Sequence, residues 1–158
     1  MKNEGGVSSE GEVFEVYVAN RLFPWRDYDI LDITPRIGAL EDRYIESCED
    51  PDLYVRHKRS NHSFYVECKW RTDASMKGRR IMVCKNRAQF ERYRVFQAEH
   101  RPHKVYIVVG MNGTETAPSE LYRIPLDSIN DPWLYPDVIE EFKRSPEETF
   151  KYINGRLQ

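Results

Sequence analysis

The chain is short of cysteine, of long apolar runs and of internal repeats, and each shortage excludes a class of protein. Its three cysteines, Cys48, Cys68 and Cys84, form an odd set with no C-x-x-C spacing. That argues against a disulfide framework and against a zinc ribbon, and favours free thiols in a reducing compartment. His100 and His103 flank Arg-Pro without further partners at zinc-ligand spacing. No apolar stretch approaches the roughly 20 residues that span a bilayer, so no membrane partner is expected. Met1 to Ser9 is polar and Gly-rich, unlike a signal peptide, and a cytoplasmic location is the expectation. No repeat or long linker divides the sequence. Residues 1–158 therefore read as one domain, with a core over 9–125 and a helical extension over 126–158.

Apolar residues make up 40 % of the chain, enough for a core, and charged residues 32 %. The net charge of −2 conceals a strong asymmetry. Leu53 to Lys104 holds 14 Lys and Arg against 4 Asp and Glu, a local net of +10. The remainder holds 10 against 22, a local net of −12. Such a pattern suits a basic middle facing a polyanion and acidic flanks facing water. The alternative is a solvated basic face with no partner.

Ser9-Glu-Gly-Glu12 has capping-box spacing, which predicts a helix to about Phe23. Phe14, Tyr17, Val18 and Leu22 recur at helical spacing and should face the core. Asp29 to Thr34, Leu53 to Arg56 and Ser63 to Trp70 read as strands, with Arg59 to His62 as a hairpin loop. Pro35 to Glu49 reads as an irregular surface loop and Thr72 to Gly78 as a polar connection. Ile81 to Cys84 is a short strand or an approach to a helix. Asn86 caps a helix running to His100, and Phe90, Tyr93 and Phe96 give it an apolar face. Val105 to Val109 is a buried strand by its unbroken apolar run. Gly110 to Ser119 reads as a loop and Glu120 to Ile124 as a strand. Amphipathic helices are expected over Pro136–Lys143 and Pro146–Ile153, and packing roles for Trp25 and Trp133. The order gives an α/β or α+β domain with a mixed central sheet.

The chemistry gathers between Pro51 and Lys69. Asp52 opens one strand, and Glu67 and Lys69 stand two apart on the next, so both project from one face. A hairpin pairing would bring Asp52 beside Glu67. Mg²⁺ takes hard oxygen ligands and keeps several waters. Asp52, Glu67 and the main-chain carbonyl of Cys68 could supply three ligands to Mg²⁺ or Mn²⁺. Lys69 would stand at the attacking water or a phosphate oxygen and stabilise developing negative charge. This set suits phosphodiester hydrolysis.

Pro51-Asp52 followed by Glu67-Cys68-Lys69 resembles the motif of the PD-(D/E)XK nuclease superfamily. Gly11-Glu-Val-Phe14-Glu15 resembles the first-helix motif of its Mrr-like and Holliday-junction-resolvase-like branches. There a helical Glu assists the metal site, a role that would fall to Glu15. Gln89-Phe-Glu-Arg-Tyr93 resembles the Q-x-x-x-Y motif of RecB-like nucleases. Gln89 and Tyr93 share a helix face, and in the family that face points at the active site. The resemblance spans Gly11 to about Ile124. It implies a restriction-endonuclease-like three-layer sandwich, here with C-terminal helices, and a Mg²⁺-dependent deoxyribonuclease. Arg56, Lys58, Arg59, Arg71, Lys77, Arg79, Arg80, Lys85 and Arg87 are then the candidate phosphate contacts. Many members pair so that two sites cut two strands, which leaves a homodimer open.

Plainer readings stand beside these. The hairpin could carry ordinary surface charges or a structural Glu–Lys contact, Glu15 could face solvent, and Tyr93 could belong to the core. The rival functions are a non-catalytic nucleic-acid-binding or assembly module of the same fold, and a ribonuclease.

Overall fold

A computed structural model describes residues 9–33, 50–72 and 76–158. Helix α1 (Glu10–Tyr17) opens at Ser9, whose hydroxyl accepts from the Glu12 N–H at 3.3 Å. Glu10 and Glu12 in its first turn complement the positive end of the helix dipole. The helix continues through a π-helical stretch, Val18–Leu22, and stops before Pro24. Phe14, Tyr17, Val18 and Leu22 are all buried, as their spacing requires.

Strand β1 (Tyr28–Ile33) pairs antiparallel with β2 (Leu53–His57), and β2 pairs antiparallel with β3 (Ser63–Arg71). A small hairpin of β4 (Met76–Lys77) and β5 (Arg80–Met82) precedes helix α2 (Arg87–Glu99). Strands β6 (Val105–Thr114) and β7 (Ala117–Pro125) follow. Beyond them lie β8 (Trp133–Leu134), the one-turn helix α3 (Pro136–Glu140), β9 (Lys143–Arg144), and a terminal hairpin of β10 (Tyr152–Ile153) and β11 (Arg156–Leu157). The main sheet runs β1-β2-β3-β6-β7-β9. Its parallel pair is β3 with β6. Parallel neighbours need a crossover, which α2 supplies. The result is a mixed α/β domain on a six-stranded sheet, with no described helix long and apolar enough to cross a membrane.

Alternation along the central strands builds two cores. Phe64, Val66 and Cys68 of β3, with Tyr106 and Val108 of β6, pack against α1. Ile107 and Val109, with Tyr122 and Ile124 of β7, pack against Phe90 and Tyr93 of α2. Gly110 faces α1, and a Cβ there would lie 2.7 Å from Phe14 Cζ and 3.1 Å from Trp70. Only a glycine lets the helix approach this closely.

Four expectations are corrected. Gly110 to Ser119 is not a loop: β6 and β7 stay paired to Thr114–Ala117, and the turn falls at residues 115–116. Asn112-Gly113 has the composition of a hairpin turn, and both residues have positive φ, but they lie inside the ladder. A Cβ at Gly113 would stand 2.5 Å from the Ala117 carbonyl oxygen. The Pro136–Lys143 helix shrinks to Pro136–Glu140, because Lys143 and Arg144 pair with β7. Pro146–Ile153 is not helical, since Asn154-Gly155 turns the chain at φ 52° and 76° into β10–β11, the conformation of a two-residue primed turn. The tail packs into the α1-side core through Phe150 and Leu157. It is tied by Phe150 N–H to Leu22 O at 3.0 Å and Tyr28 O–H to Phe150 O at 2.8 Å. Finally, Trp25 is 83 % exposed and not packed in a core. Pro35–Glu49, Cys48 and most of the Thr72–Gly78 connection's first half lie outside the described residues.

Candidate active site

Sheet register brings the central residues together. Leu53 pairs with Val66, so Asp52, one residue earlier, falls opposite Glu67. The Cys68 N–H donates to Asp52 Oδ2 at 2.8 Å, fixing that carboxylate against β3. Glu67 and Lys69 project from the face of β3 that α2 covers. Lys69 Nζ lies 3.0 Å from Glu67 Oε1. Asp52, Glu67 and Lys69 are exposed by only 5, 4 and 9 %.

Helix α2 closes the group from above. Asn86 caps it, its Oδ1 accepting from the Gln89 N–H at 2.8 Å. Gln89 Oε1 accepts from the Lys85 N–H at 2.8 Å and from Lys69 Nζ at 3.3 Å. One turn on, the Tyr93 ring lies 5.7 Å from Lys69 Nζ. Its hydroxyl is buried without a hydrogen bond of good geometry. Burial first, then the Glu67 and Asp52 carboxylates, push the Tyr93 pKa far above its ordinary value. This phenol therefore stays protonated. The Cys84 thiol is pushed up to about 12 by burial, with Lys69 pulling it down and Glu67 raising it.

Chemically, two carboxylates and one ammonium share a nearly dry space. Their formal charges sum to −1, and an excess buried charge favours a further cation or a proton. The donors are hard oxygens of the kind Mg²⁺ prefers. Among the described residues no three His, Cys, Asp or Glu side chains form a metal-holding group by themselves. A divalent ion here would complete its shell from the main chain and water, as Mg²⁺ commonly does. Glu15 is buried on α1, the helix over the opposite face of the sheet.

The basic segment splits into two regions. Arg56 pairs with Ser63, at the far end of the β2–β3 hairpin from Lys69. Six residues of strand separate Ser63 from Lys69, roughly 20 Å. Arg56 and Lys58 are engaged there by Asp29, at 2.7 and 3.7 Å. Lys58 also donates to the Trp25 carbonyl and lies over that exposed ring. Arg59 belongs to the same end and is exposed. The second region adjoins the carboxylates. Arg71 Nε donates to the Met82 carbonyl, joining β3 to β5. Arg80 lies over Trp133 and Tyr135, and Arg87 pairs with Asp131 at 2.5 Å. Arg79 and Lys85 are exposed, and Lys77 lies on β4.

Sequence reasoning passed over Arg123. Arg123 is 8 % exposed. Its two-residue offset from the buried Leu121 was the available signal, since both must share a sheet face.

Compared with family models, curated proteins and solved structures, the chain matches none.

Proposed function

We propose that the chain is a metal-dependent nuclease of the PD-(D/E)XK kind, with a restriction-endonuclease-like fold, hydrolysing DNA phosphodiester bonds as an endonuclease. The observation that carries this reading is the buried group of Asp52, Glu67 and Lys69, fixed by β2–β3 register and covered by Gln89 and Tyr93. An ordinary surface hairpin would leave these charges in water, where they are cheapest.

In this reading Asp52, Glu67 and the Cys68 carbonyl hold Mg²⁺ or Mn²⁺. Such an ion, bound there, would supply a water of lowered pKa and offset charge on the phosphorus. Lys69 orients the attacking water and stabilises negative charge at the phosphate oxygens. Its cost of burial is met beforehand by Glu67, so little reorganisation remains for the reaction. Gln89 sets the direction of the ammonium, and the neutral Tyr93 seals the apolar side. Arg71, Arg79, Arg80, Lys85 and Arg87 form the nearer phosphate-contacting region. Arg56, Lys58 and Arg59 sit too far along the hairpin to act at the same phosphate. In the same reading Glu15, buried on α1, is the helical carboxylate that assists the metal site.

Calorimetric titration with Mn²⁺ separates this reading from a non-catalytic nucleic-acid-binding module. We expect saturable binding that weakens at least about tenfold in Glu67→Gln, the loss of one charged ligand being worth more than 1.4 kcal/mol. Binding unchanged by Glu67→Gln and by Asp52→Asn contradicts the metal assignment.

A further inference from the structure

A second site is outlined by a cavity of about 390 Å³ at the opposite end of β6. It lies between Lys104 and Tyr106 at the start of that strand, the end of β7, and the β10–β11 hairpin. Lys104 is five residues from Val109, the partner of Lys69, so roughly 17 Å of strand separates the two places. The volume falls within the range of small-molecule sites.

Its distinguishing group is Arg123. This guanidinium lines the cavity, is more than nine-tenths buried, and has a buried Nε with no hydrogen-bond partner. No carboxylate among the described residues pairs with it. Burial, reinforced by Arg144 and opposed by Tyr106, lowers its pKa to about 10, which still leaves it charged at neutral pH. A buried charge without a partner is costly, and an anion paired with it would offset that cost. The surroundings agree. The Tyr106 hydroxyl accepts from the Leu157 N–H at 3.2 Å, which leaves its own proton to donate. Arg156 stands exposed at the mouth, and Leu126 supplies an apolar wall. The one acidic group lining it among the described residues, Asp127, is already held by Lys104 at 2.7 Å and Gln97 at 2.7 Å. That rim carboxylate disfavours an extended polyanion and admits a small one.

We propose that this cavity binds a small organic anion, its carboxylate or phosphate paired with Arg123 and its apolar part against Leu126. The inference is independent of the nuclease reading. The test titrates the full chain with phenyl phosphate and, separately, with benzoate, following amide chemical shifts and Tm. Saturable shifts at Arg123, Ser128 and Leu157, with a rising Tm, are expected for at least one probe. Which probe binds distinguishes a phosphate from a carboxylate ligand. Arg123→Met should lose the response at least tenfold while melting no lower than wild type without ligand. Arg156→Ala should weaken it several-fold. Non-saturable shifts for both probes, shifts gathered at Arg79–Lys85, or undiminished binding by Arg123→Met overturn the proposal. Should Arg123→Met not fold, the wild-type shift map decides in the same two directions.

Discussion

Replacing Lys69 by methionine removes an ammonium while nearly keeping its length. Opposite unit charges 3.0 Å apart attract by about 5.5 kcal/mol at an effective dielectric constant of 20. The variant also escapes the desolvation cost that a buried ammonium carries. The net cost of breaking a buried pair is then about 3–5 kcal/mol, because Glu67 is left buried beside Asp52. The double variant Glu67→Gln with Lys69→Met removes both charges and should recover most of that loss. A divalent cation should discriminate further. Lys69→Met leaves two carboxylates facing each other, so Mg²⁺ should raise its Tm more than it raises that of wild type. It should not stabilise the double variant to the same degree. Urea unfolding at pH 7 with and without 10 mM-scale Mg²⁺ measures each free energy, with the order of magnitude set by linkage. A cost below about 1 kcal/mol for Lys69→Met, the range of exposed pairs, refutes the reasoning. So does a double variant as unstable as the single one.

Gly110→Ala should lower stability by about 1–3 kcal/mol, because its Cβ would press on the fully buried Phe14; a shifted urea midpoint checks this. Phe150→Ala should cost about 3–5 kcal/mol, since Phe150 lies in the core with Phe23 at 5.4 Å; a loss under 1 kcal/mol would mean the tail is a dispensable extension. The Cys84 thiol has its pKa raised by burial to about 12 from 9.0. Its contribution to stability is therefore complete below pH 9 and lost as pH rises toward 12. Iodoacetamide at pH 8 should spare Cys84 in the folded chain and modify it in urea, as peptide mapping would show.

The elements legible in the sequence were those where local chemistry and tertiary packing agree. Ser9 and Asn86 cap the helices their spacing announced, and Phe14, Tyr17 and Val18 bury as their period requires. The geometry of the candidate site was legible for a related reason: the two-residue period of β3 puts Glu67 and Lys69 on one face whatever the rest of the sheet does. The register that sets Asp52 opposite Glu67 needed only a hairpin. What failed were places where the same local signal serves two geometries. Asn112-Gly113 and Asn154-Gly155 are alike in sequence and both have positive φ. One lies inside a ladder beside Ala117, and the other turns a hairpin. Only the partner strand decides between them. The basic segment misled in another way. Charge density along the chain gave one patch, but a β-hairpin sends its two ends apart, and Asp29 holds Arg56 and Lys58 at the far one.

The proposed function is cleavage of DNA by Asp52, Glu67 and Lys69 with a divalent cation. Its most direct test is a cleavage panel of linear, nicked, flapped and four-way-junction DNA with Mg²⁺ and with Mn²⁺, run on wild type and on Asp52→Ala and Lys69→Ala chains shown to be folded by circular dichroism. The account predicts cleavage by wild type of at least one of these DNAs, abolished by chelation and reduced roughly 10²–10³-fold or more in each variant. Wild-type protein that leaves every substrate intact with both metals, or an Asp52→Ala chain that cuts at the wild-type rate, would contradict it.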